Sequence, residues 1–207
     1  MPSDVYEWDA LGTTVLRRTH TDYTTTSTYI SSTRRIIGLT AATLLCDGAE
    51  GNVPCSSNSG ASLFSMTTFQ YDEAGSAQYQ GAPTQHDEQN FGSGFVQGRA
   101  NLSSVRRYNV TNLGQYLTTS AIYNTAGSMI STTDPSNHTN SISYTDAFSD
   151  NTNHNTLAYP TTLTNADGYT FKSQYNYDFG ALTWKQTPQP NTTQNHRGRN
   201  KFWSMTR

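Results

Sequence analysis

Residues 123–144 read Tyr123-Asn-Thr-Ala-Gly127-Ser-Met-Ile-Ser-Thr-Thr-Asp134-Pro135-Ser-Asn137-His138-Thr139-Asn-Ser-Ile-Ser-Tyr144. The second half of this stretch aligns without gaps on Asn165-Ala-Asp-Gly168-Tyr-Thr170-Phe-Lys-Ser-Gln-Tyr175. Asp134 falls on Asn165, Asn137 on Gly168 and Tyr144 on Tyr175, an offset of 31 throughout. An Asp or Asn followed by Gly supplies a side-chain cap and a residue that tolerates positive φ, so the chain can reverse. Asp134-Pro135 presets φ for a turn, and Asn137 can take the left-handed position that Gly168 takes in the other copy. Between these turns lie short runs rich in Thr and aromatics: 117–123, 128–133, 138–144, 159–164 and 169–177. They read as strands of successive hairpins.

The first half of the unit also recurs. Tyr123-Asn124-Thr-Ala-Gly127 stands beside Tyr71-Asp72-Glu-Ala-Gly75, Tyr177-Asp178-Phe-Gly180 and Trp8-Asp9-Ala-Leu-Gly12. Each has an aromatic, then Asp or Asn, then Gly two or three residues later. No segment shows a sustained helical period with caps. The best helical candidate, Arg35 to Leu45, is rich in β-branched residues and reads better as a strand.

Composition agrees with this architecture. The 207 residues suggest one or two domains. Hydrophobic residues are 33%, low for a packed domain, yet 12% aromatics and only 14% charged residues do not fit a disordered chain. The difference is made up by 33 Thr, 22 Ser and 17 Asn, residues of strands and turns. The expected fold is therefore all-β, a meander of consecutive β-hairpins with a thin core. No apolar run approaches the ~20 residues of a membrane helix. Residues 1–4 have no basic-then-apolar leader pattern. A net charge of -2 argues against nucleic acid as the main partner.

These motifs resemble the tyrosine-aspartate (YD) repeats of the RHS family. The likeness covers about residues 6–190 and is most specific over 117–180. Asn replaces the repeat Asp at 124 and the turn Gly at 137. Arg17 to Tyr23 and Gly98 to Tyr108 also look like linking segments of such proteins. The resemblance implies a structural rather than catalytic role. The chain would be an open segment of a shell or spiral sheet, with neighbouring YD repeats as partners, an enclosed toxin or other cargo, and a cell-surface or secreted setting. The motif residues it marks are Tyr71, Asp72, Gly75, Tyr123, Asn124, Gly127, Asp134, Pro135, Tyr144, Gly168, Tyr175, Tyr177, Asp178 and Gly180. No autoproteolysis motif of the family follows them.

On this reading, residues 1–191 form the hairpin segment. It is interrupted by an inserted loop at 46–62, a long ordered loop at 81–98 pinned by Phe91 and Phe95, and an exposed Asn/Ser/Asp-rich loop at 147–157. Residues 192–207 form a basic tail (Arg197, Arg199, Lys201, Arg207) expected to be unstructured. Neither end reads as a repeat cap, so the chain is expected to be a piece of a longer one, with the tail read out of frame.

Candidate chemistry is sparse. Cys46 and Cys55 bracket a Gly-rich loop. They are either two half-buried thiols or a disulfide worth roughly 2.5–3 kcal/mol by chain entropy. His86-Asp87-Glu88 is the densest titratable cluster, but consecutive strand residues point to opposite faces and no further metal ligands are spaced as a motif. His20 and Asp22 can share a strand face, as a base and its orienting carboxylate would, yet no nucleophile can be named. His138, His154 and His196 fall in a turn, a loop and the tail. No carboxylate pair is marked out for glycoside hydrolysis. No enzyme activity, metal or cofactor is therefore expected. The alternative to a scaffold is a carbohydrate-binding or adhesion module that stacks sugars on repeat tyrosines such as Tyr71, Tyr108, Tyr123, Tyr144, Tyr175 and Tyr177, although rings beside every turn also suit a thin ribbon.

Overall fold

A computed structural model describes residues 3–31, 35–48, 55, 62–148 and 152–189. The basic tail lies outside the described residues, as does most of the 46–62 loop. The described residues form twelve strands in one sheet. The strands are β1 (Asp4–Trp8), β2 (Val15–Tyr23), β3 (Thr40–Asp47), β4 (Leu63–Tyr71), β5 (Ala77–Gln78), β6 (Leu102–Tyr108), β7 (Tyr116–Asn124), β8 (Met129–Thr133), β9 (Thr139–Ser143), β10 (Thr162–Thr164), β11 (Thr170–Asn176) and β12 (Ala181–Gln189). Their order in space is β1-β2-β3-β4-β6-β7-β8-β9-β10-β11-β12, all antiparallel, with the two-residue β5 lying parallel beside the end of β7. Order in space thus follows order in sequence, as a hairpin meander requires. No described helix is long and apolar enough to cross a membrane.

The turns explain the meander. Asp134, Asn165 and Asn124 each head the same reversal. The side-chain oxygen of each accepts the backbone N–H four residues on, from His138 at 2.9 Å, Tyr169 at 2.8 Å and Ser128 at 2.9 Å. The residue three positions on is left-handed, with φ of 65° at Asn137 and 82° at both Gly168 and Gly127. Asp9 with Gly12 builds a related turn, its carboxylate accepting Thr13 N–H at 2.8 Å. The space around a Cβ added at Gly127 is open, so substitution there is opposed by backbone conformation alone. Gly127→Val should cost about 1–2 kcal/mol, and Gly127→Asn clearly less, because Asn visits the left-handed region readily. Urea melts of the two variants check this; equal midpoints would count against it.

Register keeps the two faces of the sheet distinct. One face carries hydroxyls in line across four strands, Ser131 opposite Ser141, Ser141 opposite Thr164 and Thr164 opposite Thr170. Beside that row, Thr133 and Thr139 bring their Oγ1 atoms to 2.9 Å. The other face carries Ile142, Leu163 and Phe171 in line. A slip of one residue would exchange the faces. The core is thin and lies over β3, where Ala42, Leu44, Cys46 and Cys55 are buried together with Leu63 and Met66 packed against them.

Three expectations need correction. The strand expected over 35–45 occupies only Thr40–Asp47. Gly38, at φ 85°, breaks the extended run, and Arg35 makes only an isolated bridge with Ile30. The 81–98 loop contains one helical turn, α1 (Glu88–Phe91), capped by the Asp87 side chain. The 147–157 loop is not wholly exposed: Leu157 is buried, and Asp146 just before the loop accepts Thr156 N–H at 2.8 Å.

Candidate functional site: the Asp72 node and its cavity

The Tyr-Asx pairs lie where strands end, and two of the tyrosines reach back across the sheet. Tyr71, at the end of β4, donates its hydroxyl to Thr40 O at the start of β3, 2.9 Å away. Tyr123, at the end of β7, donates to Leu102 O at the start of β6, also 2.9 Å away. In both cases a phenol locks the end of one strand to the beginning of the strand beside it, on the side nearer β1. The sequence aligned these two tyrosines, and the geometry gives them one task.

The Asx residues that follow diverge. Asn124 is fully buried and caps its own turn, leaving Nδ2 without a partner among the described residues. Asp72 turns its carboxylate instead to the segment leading into β6. Its Oδ2 accepts the N–H groups of Gly98, Arg99 and Ala100, each at 2.9 Å, and its Oδ1 accepts Asn101 N–H at 3.0 Å. Tyr29 adds a fifth donor, its hydroxyl 3.1 Å from Asp72 Oδ2 and equally far from Tyr71 O. Successive N–H groups converging on one anion form a nest. Here the anion belongs to the chain itself, and Asp72 is 3% exposed. The backbone bends to allow it, with φ of 50° at Asp72 and 60° at Ala100.

Neighbouring residues brace the node. Glu73 accepts the Ser103 and Ser104 hydroxyls at 2.9 and 2.6 Å, and lies 3.3 Å from the Arg106 guanidinium. The Arg99 guanidinium donates to the carbonyls of Phe91, Phe95 and Thr125, each at 2.7 Å. Phe91 and Phe95 do touch, edge to face at 5.1 Å, but Arg99 is what ties the long loop to the turn after β7. Tyr29 drew no notice in the sequence, since it sits in no repeat motif, and Arg99 stood out only as part of a linking segment. The one available sign was the Gly98-Arg-Ala-Asn-Leu linking segment, whose N–H groups are the ones Asp72 collects.

Beside the node lies a cavity of about 280 Å³, walled by the loop after β2, the last residues of β4 and Gln97. Tyr29 and Tyr71 form part of the wall, so the hydrogen bonds of the node also fix the cavity's shape.

At the far end of the sheet the tyrosines pack with one another. Tyr175 stacks on Tyr159 at 4.8 Å and Tyr177 on Phe148 at 3.8 Å, while Tyr177 Oη accepts Ala147 N–H at 3.0 Å. The turn there is capped by Asn176, which accepts the N–H groups of Asp178 and Phe179, both at 3.0 Å. The working pair is therefore Tyr175-Asn176, with Gly180 N–H closing on Asn176 O at 2.8 Å. The sequence alignment had put Tyr177-Asp178 in that place. One added residue in the turn displaces the pair by two.

Other described titratable groups form local pairs. His20 sits between Asp4 and Asp22, its ring nitrogens 3.0 and 3.1 Å from their carboxylate oxygens, and so pins β1 to β2. His86 Nδ1 lies 2.7 Å from Glu88 Oε1, so His86 and Glu88 converge after all because the loop tightens into α1. His138 and Asp134 approach to 3.1 Å within their turn. Phe148 packs edge to face on His154 at 4.5 Å. Among the described residues no three His, Cys, Asp or Glu side chains gather as metal ligands.

Comparison with models of known protein families finds no match, and comparison with curated proteins finds no relative.

Burial holds the Tyr71, Tyr123, Tyr144 and Tyr177 phenols above the ordinary tyrosine value. Tyr29 is pushed up further, by burial first and then by the Asp72 charge. A raised tyrosine pKa means that the fold prefers the neutral phenol. The associated stability is complete below the unfolded value of ~10 and is lost as pH climbs above it. Phenolate absorbance from these five side chains should rise together with the loss of strand signal in circular dichroism. Complete ionisation of the thirteen tyrosines with the strand signal intact would contradict this.

Proposed function

We propose that the chain is a structural, non-catalytic scaffold segment of the YD-repeat kind. One observation carries the reading. Tyr71 and Tyr123, matched by sequence alone, make the same hydroxyl-to-carbonyl bond back to the preceding strand. That is how a repeat behaves when each unit is stabilised by its neighbour. The short parallel pairing of β5 with the end of β7 adds a second link, joining the Tyr71 turn directly to the Tyr123 turn. On this reading the neighbours of the segment are further YD hairpins continuing the sheet. The enclosed cargo and the secreted or cell-surface setting are what the family resemblance adds.

The test uses the additivity of repeats. Consensus Tyr-Asp-x-x-Gly hairpins are joined after Gln189, one and then two. A repeat scaffold should melt at a higher temperature with each unit added. Unchanged melting would refute the reading, as would turnover of a broad panel of chromogenic ester, phosphate and glycoside substrates.

A further inference from the structure

We infer that Asn137 is an N-glycosylation site, the acceptor for a glycan whose first sugar is activated at its anomeric carbon as a diphosphate ester. The inference goes beyond the scaffold reading and stands on one turn.

The sequence holds four Asn-x-Ser/Thr triplets, the pattern that glycosylation of an amide requires: Asn101-Leu-Ser103, Asn109-Val-Thr111, Asn137-His-Thr139 and Asn191-Thr-Thr193. The last lies outside the described residues. The other three have different surroundings. Asn101 gives its N–H to the Asp72 node at 3.0 Å. Ser103 is 3% exposed, and its hydroxyl is spent on Gln70 O and Glu73 Oε2 at 3.1 and 2.9 Å. Asn109 is exposed, but its Oδ1 accepts the Thr111 N–H and hydroxyl at 3.1 and 2.7 Å, and its Nδ2 donates to Gln115 Oε1 at 3.2 Å. Asn137, His138 and Thr139 are all exposed at a hairpin tip. The Asn137 side chain makes no hydrogen bond among the described residues, so modifying Nδ2 breaks nothing in the fold.

The sister turn shows how the site arises. Asp134 and Asn165 cap the two reversals alike, and the left-handed position is Asn137 in one and Gly168 in the other. Two residues further on each turn has a threonine, Thr139 or Thr170. The repeat thus supplies the hydroxyl of the triplet wherever this turn occurs, and only the amide is missing when the turn residue is Gly. Asn is the side chain that best tolerates the left-handed region. One replacement therefore keeps the turn and completes an acceptor, pointing outward from the hairpin end. The middle residue, His138, is not the proline that bars recognition.

The chemistry balances with one co-reactant. Asn137 Nδ2 attacks the anomeric carbon of the donor sugar. The N–C1 bond forms as the C1–O bond to the diphosphate breaks, the diphosphate leaves with the electron pair, and a base of the transferase takes the amide proton. The Cys46–Cys55 disulfide suits the same setting, since such bonds form in the oxidising compartments of export.

The experiment directs the full chain through the secretory route of cultured eukaryotic cells with an added leader. Sites are mapped by peptide-N-glycosidase in heavy-oxygen water, which leaves a labelled Asp at each modified Asn. Asn137 should be occupied, Asn109 less so and Asn101 not at all. Thr139→Ala should remove the glycan although Asn137 remains. Asn137→Gly, which restores the residue of the sister turn, should also remove it and should unfold in urea at the midpoint of the parent. Gly168→Asn completes Asn-Tyr-Thr170 and should gain a glycan at position 168. The inference is overturned if Asn137 is bare in the secreted chain, if Asn109 or Asn101 is occupied more fully, if Gly168→Asn gains nothing, or if enzymatic removal of the Asn137 glycan raises the urea midpoint.

Discussion

Asp72→Ala is expected to destabilise the chain by about 4 kcal/mol, since each buried donor left unpaired costs about 1–3 kcal/mol. Four backbone N–H groups and the Tyr29 hydroxyl lose their acceptor at once. Water can reach some of them, which keeps the figure well under a simple sum. Alanine would also inherit a φ of 50° that suits Asp, Asn or Gly better. Asp72→Gly separates the two effects, relieving the backbone while still removing the carboxylate, and should recover about 1 kcal/mol. Asp72→Asn keeps one acceptor but turns an amide N–H₂ toward other donors, and should fall between Gly and the parent. Urea unfolding of the three variants decides the matter. If Asp72→Ala melts with the parent, the nest is incidental to stability.

Loss of the Cys46–Cys55 bond should be the second large effect. The two residues are disulfide-bonded with Cα atoms 6.0 Å apart, within the usual range for such a bond. They are 1% and 2% exposed at the centre of the thin core. Closing a loop of this length is worth about 2.7 kcal/mol by chain entropy. For a chain of this size that corresponds to a fall of roughly 5–10 °C in melting temperature. The paired variant Cys46→Ala with Cys55→Ala should show that fall without reductant. The parent should show it only after reduction. Coincident melting curves for reduced and oxidised parent would show that the bond contributes nothing.

The fold was legible because its turns are written in local chemistry. Asp134, Asn137, Gly168 and Gly127 are the residue types that a side-chain-capped reversal with a left-handed position demands, and each occupies the predicted place. The flanking Thr and Ser runs had only one period to offer. The node was far less legible. Asp72 shares its motif with Asn124, and nothing local tells that one caps its own turn while the other reaches residues 98–101. That difference depends on which loop arrives beside the turn, a long-range event with no periodic signature. Tyr29 was missed for the same reason. The exchange of Tyr177-Asp178 for Tyr175-Asn176 has another source. In Tyr175-Asn-Tyr-Asp-Phe-Gly180 the second pair has its Gly two residues on, within the pattern, whereas the pair whose Asn caps the turn has it four residues on, so the pattern points to the wrong one.

A sheet whose strands lie in chain order has a mechanical consequence. Tension applied along the chain at its two ends loads the outermost hydrogen bonds one pair at a time, as in a zipper, rather than all together in shear. From the β12 side the described sheet should therefore peel hairpin by hairpin at low force. From the β1 side the peeling front reaches Tyr29, which is bonded to Asp72, which is bonded in turn to residues 98–101. Strands β3, β4 and β6 are thereby tied by links that run across the direction of unzipping. The node is thus a rip-stop, the point where a tear from that side would pause.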